Sequence, residues 1–288
     1  REGAQLLEHH FLAAAEHRWR EGMPTGALYV FTRMVIRLVK DFRPRRMAVV
    51  FDAPGPSFRR EIDPGYKATR PEPPEELGPQ MPYFRQLTEA FSWPTLEVPG
   101  VEADDVIATL VTRARARGWE VIIFSADKDM MQLVGDGVQV IDSMRQMTYT
   151  DEEVVKKFGV PPGQIADYLA LLGDTSDNVP GMAGIGKVGA AKLLAEHGDI
   201  AGILAAAPTM KGKMKERFTD PVQLARLALS QQLIALRRDV DLPRPLDALV
   251  AGKRDNERLR ALFTELEFGA LLPELSIAED ELAAEIAD

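Results

Sequence analysis

The stretch "GDTSDNVPGMAGIGKVGAAKLL", residues 173–194, decides how this chain is read. Within it Gly184-Ile185-Gly186-Lys187-Val188-Gly189 matches the dinucleotide fingerprint G-x-G-x-x-G, and Gly181 to Lys187 reads as most of a P-loop. Both motifs require a hydrophobic strand immediately before the turn. Here the turn follows polar, turn-forming residues, and before those a helical pattern, "PGQIADYLALL" at 162–172. Val188 also occupies the position whose hydroxyl would serve Mg²⁺ in a P-loop. No nucleotide cofactor is therefore expected. A helix, a tight glycine turn and a second helix remain, in which Gly184, Gly186 and Gly189 let the backbone approach a phosphate. Lys187, Lys192 and the open helix amides favour that anion. This is the pattern of a helix–hairpin–helix that holds a nucleic-acid backbone without reading sequence. The alternative is a helix corner that uses glycine only for close packing.

Outward from this turn, two apolar runs end in acid. "MAVVFD" (47–52) stops at Asp52, and "EVIIFSADKD" (120–129) opens onto Asp127 and Asp129. Each follows a helical pattern, at 26–42 and 102–117, with weaker strands at 95–98 and 138–142. Apolar runs alternating with amphipathic helices predict an α/β fold with a mostly parallel sheet flanked by helices. From about 151 the pattern is helical. Three segments are expected: an α/β core over 1–150, a helical module over 151–275, and an acidic tail over 276–288. Residues 53–82 are rich in Pro and Gly and carry a basic cluster, which points to a functional segment.

The chain has 288 residues, no cysteine and a formal net charge of −9. Disulfides and thiolate metal sites are excluded, and a cytoplasmic setting is expected. No apolar run reaches the roughly 20 residues of a membrane span, so no membrane partner is expected. An acidic protein that grips nucleic acid must concentrate its Lys and Arg locally.

The carboxylates recur in groups: Asp52; Glu102, Asp104 and Asp105 in "VEADDV"; Asp127 and Asp129; Asp174 and Asp177 in "GDTSDN". Any one group reads as helix capping or a solvated face. Gathered at one sheet edge they would repel unless a cation neutralised them. Hard oxygen donors without Cys or paired His favour Mg²⁺ or Mn²⁺, and a carboxylate-held divalent pair serves phosphodiester hydrolysis.

In order, "AVVFDA", "SFRREI…GYKATR", "VEADDVIATL", "ADKDMMQLV", the 167–194 stretch and "LRALFTELEFGALLPEL" closely resemble the 5′→3′ exonuclease domain of bacterial DNA polymerase I. That domain belongs to the flap endonuclease family, with a PIN-like core. The resemblance implies a metal-dependent 5′→3′ exonuclease and 5′-flap endonuclease of replication and repair. It assigns Asp52, Glu102, Asp104 and Asp105 to a first metal region and Asp127, Asp129, Asp174 and Asp177 to a second, with two Mg²⁺ ions between them. Lys67 and Arg70, one helical turn apart, would converge on the scissile phosphate. Tyr66 would stack on a displaced base, Arg59 would contact the strand, and 53–82 would form the arch. The glycine turn would hold duplex DNA, with K⁺ on its carbonyls.

A monomer is the default expectation, and "LEFGALLPEL" ends where the polymerases of that family continue. Glu2 stands where the family has Asp, and His9 where it has Arg. The family's first strand is missing, which implies either a lost N-terminus or a weakened site. Two further readings stay open: a catalytically impaired module that binds DNA junctions, and a PIN-like ribonuclease.

Overall fold

The computed structural model describes residues 24–275; Glu2 and His9 lie outside them. The chain forms two compact units, one from residues 24–52, 72–98 and 242–275, the other from 53–71 and 99–241. In chain order come helix α1 (Gly26–Phe42), strand β1 (Val49–Val50), helices α2 (Phe58–Ile62) and α3 (Met81–Ala90), and strand β2 (Thr95–Leu96). Next are α4 (Ala103–Arg115), β3 (Val121–Phe124), β4 (Val138–Asp142), β5 (Met147–Tyr149), α5 (Asp151–Phe158) and α6 (Ile165–Leu172). The remainder is helical: α7 (Lys187–His197), α8 (Ile200–Ala206), α9 (Gly212–Thr219), α10 (Pro221–Ile234) and α11 (Asn256–Glu265).

In the first unit α1 buries Leu28, Thr32 and Val35, which share one helical face. It ends at Arg43 in the left-handed region (φ 42), just before Pro44, a residue that disfavours helix in the one preceding it. Its core joins Phe84, Leu87 and Phe91 of α3 and the residue after it to Leu259 and Phe263 of α11. Phe91 and Trp93 stack with centroids 4.0 Å apart. Strands β1 and β2 pair in parallel, Val49 opposite Thr95, and Asp52 follows β1.

In the second unit β3 and β4 are parallel, and β5 adds an antiparallel edge. Met130, Met131, Val140, Ile165, Leu169 and Leu194 lie in one core that joins this sheet to the helices after it. Expectation and structure differ in three places. The expected boundary near residue 150 falls inside that core, because Tyr149 and Val154 pack with Leu169. Strand β5 has only three residues and gives too short a pattern to be seen in sequence. Segment 53–82 contains α2 and a 3₁₀ turn at Glu75–Gln80, and its halves belong to different units. Among the described residues no helix is long and apolar enough to cross a membrane.

The glycines that bracket "DTSDNVP" are fixed by close approach. Asp174 and Val179 exchange two backbone hydrogen bonds (3.0 and 2.7 Å), which folds the chain back on itself. Gly181, at φ +57, passes so close to Gly173 that an added Cβ would lie 2.4 Å from the Gly173 nitrogen. Replacing Gly181→Ala should therefore cost at least about 2 kcal/mol of stability, through strain and a backbone clash. Urea unfolding followed by circular dichroism will measure it; a loss below about 0.5 kcal/mol contradicts the close approach.

Candidate active site

The site in the second unit starts at the N-terminus of α4. Glu102 is the N-cap, and Glu102 and Asp105 form a reciprocal capping box, each side chain accepting from the other's backbone N–H. The acids of the first turn are thus drawn in by the helix's open amides and positive end. Asp105 takes four donors. Arg59 Nη1 and Nη2 donate to Oδ2 and Oδ1 (2.7 and 2.8 Å), Glu102 N to Oδ2 (3.1 Å), and Arg237 N to Oδ1 (2.9 Å). Arg59 also donates to the carbonyls of Leu233 and Ala235 (2.7 and 3.0 Å).

Both side chains are sealed from water, at 2% and 0% exposure. Burial opposes the charge on Arg59, but the hydrogen bond and charge of Asp105, with Glu102 and Tyr66, together hold its pKa above the ordinary value. Arg59, expected on the DNA strand, and Asp105, expected on a metal, here meet each other and backbone groups.

The turn Asp63–Arg70 places three more side chains on the acids. Lys67 lies in the left-handed region (φ 56), and its N–H donates to the Asp177 carbonyl (2.9 Å). Its ammonium donates to Glu102 Oε2 (2.9 Å) and lies 3.8 Å from Asp177 Oδ2. Arg70 Nε donates to Asp177 Oδ1 (3.0 Å), and its Nη2 reaches the same oxygen. Lys67 and Arg70 therefore converge, but from a turn rather than from one helix face. Tyr66 is 4% exposed; its hydroxyl bridges Glu102 Oε2 (3.1 Å) and Asp177 Oδ2 (3.3 Å). It links two carboxylates and does not present a face on which a base could stack.

A second grouping follows β3. Asp127 caps the 3₁₀ turn Lys128–Leu133, accepting from Asp129 N (2.8 Å). The Lys128 ammonium donates to Asp174 Oδ2 (2.6 Å), while Asp174 Oδ1 accepts from Ser176 N (3.0 Å). Burial opposes the charge on Lys128, but the hydrogen bond and charge of Asp174, with Asp129 and Asp127, raise its pKa. Lys128 was missed in the sequence, although "ADKD" sets it between two acids. Asp104 is buried in the first turn of α4, and Asp52 belongs to the other unit.

Among the described residues no group of three or more His, Cys, Asp or Glu is gathered tightly enough to hold a metal ion. Cationic side chains sit on the carboxylates instead, as like charges demand when they are brought together. The donor set itself fits a hard divalent cation. It consists of carboxylate oxygens, some buried, already attracting Lys128 and Lys67 as stand-in cations.

The glycine turn is anchored from beneath and open above. Met182 and Ile185 are buried, and Gly181 N donates to Ser230 Oγ (2.9 Å). Gly184, at φ +73, lies under the Arg217 guanidinium, which an added Cβ would meet at 2.3 Å. Gly186 is the N-cap of α7 without a side-chain cap, and Lys187 and Lys192 are exposed. Gly189 has room for a side chain, the nearest atom to an added Cβ being 3.9 Å away. Gly181 is thus closely packed, while the helix start at Gly186 and Lys187 is exposed.

A resolvase-like α/β core followed by a helical module with such a hairpin, and acids matched to Lys and Arg, is the build of a nuclease. Two family models cover the chain: "5'-3' exonuclease, N-terminal resolvase-like domain" over residues 2–159, and "5'-3' exonuclease, C-terminal SAM fold" over 160–257. The chain belongs to the 5′–3′ exonuclease family. It is 39% identical to a 5'-3' exonuclease of Aquifex aeolicus, over 95% of this chain and 93% of that one. It is 40% identical to DNA polymerase I of Rhizobium leguminosarum, over 91% of this chain but 26% of the polymerase.

In structure it resembles the T5 D15 protein co-crystallized with metal ions, with a TM-score of 0.62 and 22% identity over 100% of this chain and 98% of that one. It also resembles the catalytic core of Rad2 in complex with DNA substrate, with a TM-score of 0.59 and 20% identity over 98% and 90%. These two likenesses establish the shared fold.

The Arg59–Asp105 pair yields a stability prediction. Arg59→Met strands a buried carboxylate and should cost about 3–5 kcal/mol, whereas Arg59→Met combined with Asp105→Leu should recover part of it, since the N–H groups of Glu102 and Arg237 then lose their acceptor. Chemical denaturation of both variants will measure the difference; equal losses would remove the pair from its structural role.

Proposed function

We propose that this chain hydrolyses DNA phosphodiesters near a 5′ end and at the base of a 5′ flap, in replication and repair. The observation that carries the proposal is the setting of Lys67 and Arg70. Two cations reach the carboxylates Glu102 and Asp177 from one turn, held by the Tyr66 hydroxyl bridge. Arranged this way they can leave the carboxylates for a phosphate, and Lys67 and Arg70 would orient and polarise the scissile group.

Divalent cations, Mg²⁺ or Mn²⁺, would be held by Glu102, Asp104, Asp127, Asp129, Asp174 and Asp177, with Asp52 as a further carboxylate of this reading. Such a cation supplies Lewis acidity and charge neutralisation for the attacking and leaving oxygens. Asp105 keeps Glu102 in place through the capping box. The turn at Gly184–Gly189, with Lys187 and Lys192, would hold duplex backbone, with K⁺ on its carbonyls as part of the same reading. Arg217, over Gly184, adds a cation there. The protein would act as a monomer in the cytoplasm.

A labelled 5′-flap duplex incubated with Mg²⁺ and with EDTA tests this. Cleavage is expected only with the metal. Asp174→Asn should lower the rate at least about 100-fold, as expected for loss of a metal carboxylate. Lys187→Ala should weaken binding with less effect on the saturated rate, and flatten the salt dependence by about one contact. Binding without metal-dependent cleavage would mark a junction-binding module, and preference for a matching RNA flap would mark a ribonuclease.

A further inference from the structure

The site's cations differ in how firmly they are held. Arg59 is sealed with Asp105 and has backbone carbonyls as further partners, so it cannot leave without exposing a buried charge. Lys128 has a different setting. Its side chain is 38% exposed while its partner Asp174 is 7% exposed, so the ammonium covers the carboxylate from the solvent side. A lysine stem of this kind can swing its charge into water at little cost. The oxygen it holds is Oδ2, while Oδ1 accepts from Ser176 N. The acidic groups that bear on this ammonium are Asp174, Asp129 and Asp127, on the loop after α6 and the turn after β3.

We infer that Lys128 is an exchangeable internal counter-ion that competes with the divalent cation for Asp174 and thereby sets the affinity of the second carboxylate group for metal. The inference rests on the metal reading above. A dication and an ammonium cannot share Asp174 Oδ2 at contact distance, because their repulsion in a partly desolvated site is severe. Metal entry is therefore an exchange: the ammonium leaves Oδ2 for solvent as the dication arrives. The bound carboxylates keep their fold in the absence of metal because Lys128 neutralises them in the meantime.

Mn²⁺ binding to the whole chain without DNA, measured by calorimetry or by the paramagnetic resonance of free Mn²⁺, tests the exchange. Lys128→Met should bind Mn²⁺ about tenfold more tightly than the wild type, the effect of removing one competing positive charge. Lys128→Arg, which keeps the charge and can grip the carboxylate with two N–H groups, should bind Mn²⁺ no more tightly than the wild type. In an Asp174→Asn background the Lys128→Met change should bring no gain. A wild-type readout guards against a misfolded variant: acylation of Lys128, followed by mass spectrometry, should rise severalfold when Mn²⁺ is added. Equal or weaker Mn²⁺ binding by Lys128→Met, or unchanged labelling in a chain that does bind Mn²⁺, overturns the inference alone. Absence of Mn²⁺ binding in every version overturns the metal reading and this inference with it.

Discussion

The arrangement of the second unit depends on the Arg59–Asp105 ion pair. Three segments distant in sequence meet there: α2 brings the guanidinium, α4 the carboxylate, and the last turn of α10 with the residues after it the carbonyls of Leu233 and Ala235 and the N–H of Arg237. Moving two charges out of water is costly, and only near-complete hydrogen bonding offsets it. The four donors on Asp105 meet that condition. Above the pair, Phe58 carries a guanidinium on its ring, with the Arg237 Cζ 3.5 Å from the centroid. Glu102 is held by the same carboxylate through the capping box, so the first residue of the site takes its position from the pair's acid.

Charge matching, rather than shape, then organises the remaining acids. Glu102 and Asp177 come from the start of α4 and the loop after α6, and they stay adjacent because Tyr66 and Lys67 lie between them. The backbone reinforces this contact. Lys67 N–H donates to the Asp177 carbonyl, and Asn178 Nδ2 donates to the Gly65 carbonyl (2.8 Å). Lys67 and Asn178 both adopt left-handed backbone, which asparagine tolerates and lysine does not favour. A non-glycine residue kept in that conformation beside the acids is consistent with a functional constraint on the turn.

The sequence made the regular elements visible where periodicity was long and ends were marked. Helix α1 runs over the expected residues 26–42, and β4 over the expected 138–142. Helix α7 begins at Lys187, as the glycine turn implies. The carboxylate groups were also legible, since acids beyond apolar strands and at a helix start leave a local mark. Long-range pairing leaves no such mark. Nothing within "SFRREI" tells that Arg59 faces inward while Arg60 stays exposed. Tyr66 looks like a stacking aromatic until its hydroxyl is seen between two carboxylates. Asp105 resembles Asp104 in sequence, and only the fold separates the saturated carboxylate from its neighbour. The interleaving of the two units is equally invisible, because it depends on where residues 242–275 return.

The partners of Arg59 have a temporal consequence. The Leu233 carbonyl lies 174 residues further along the chain, and Arg237 N, which completes the donors on Asp105, lies 132 residues beyond that carboxylate. Contacts of such separation form late, after local helices and the sheet, because the intervening chain must first be closed into a loop. On a translating ribosome, at roughly 5–20 residues per second, Arg59 and Asp105 wait roughly 7 to 35 seconds for their closing partners. Throughout that interval Arg59 and Asp105 lack their final hydrogen bonds, and the acids organised through them are not yet fixed. A nascent chain is thereby kept from presenting a finished cutting site to nearby nucleic acid before most of this unit has been made.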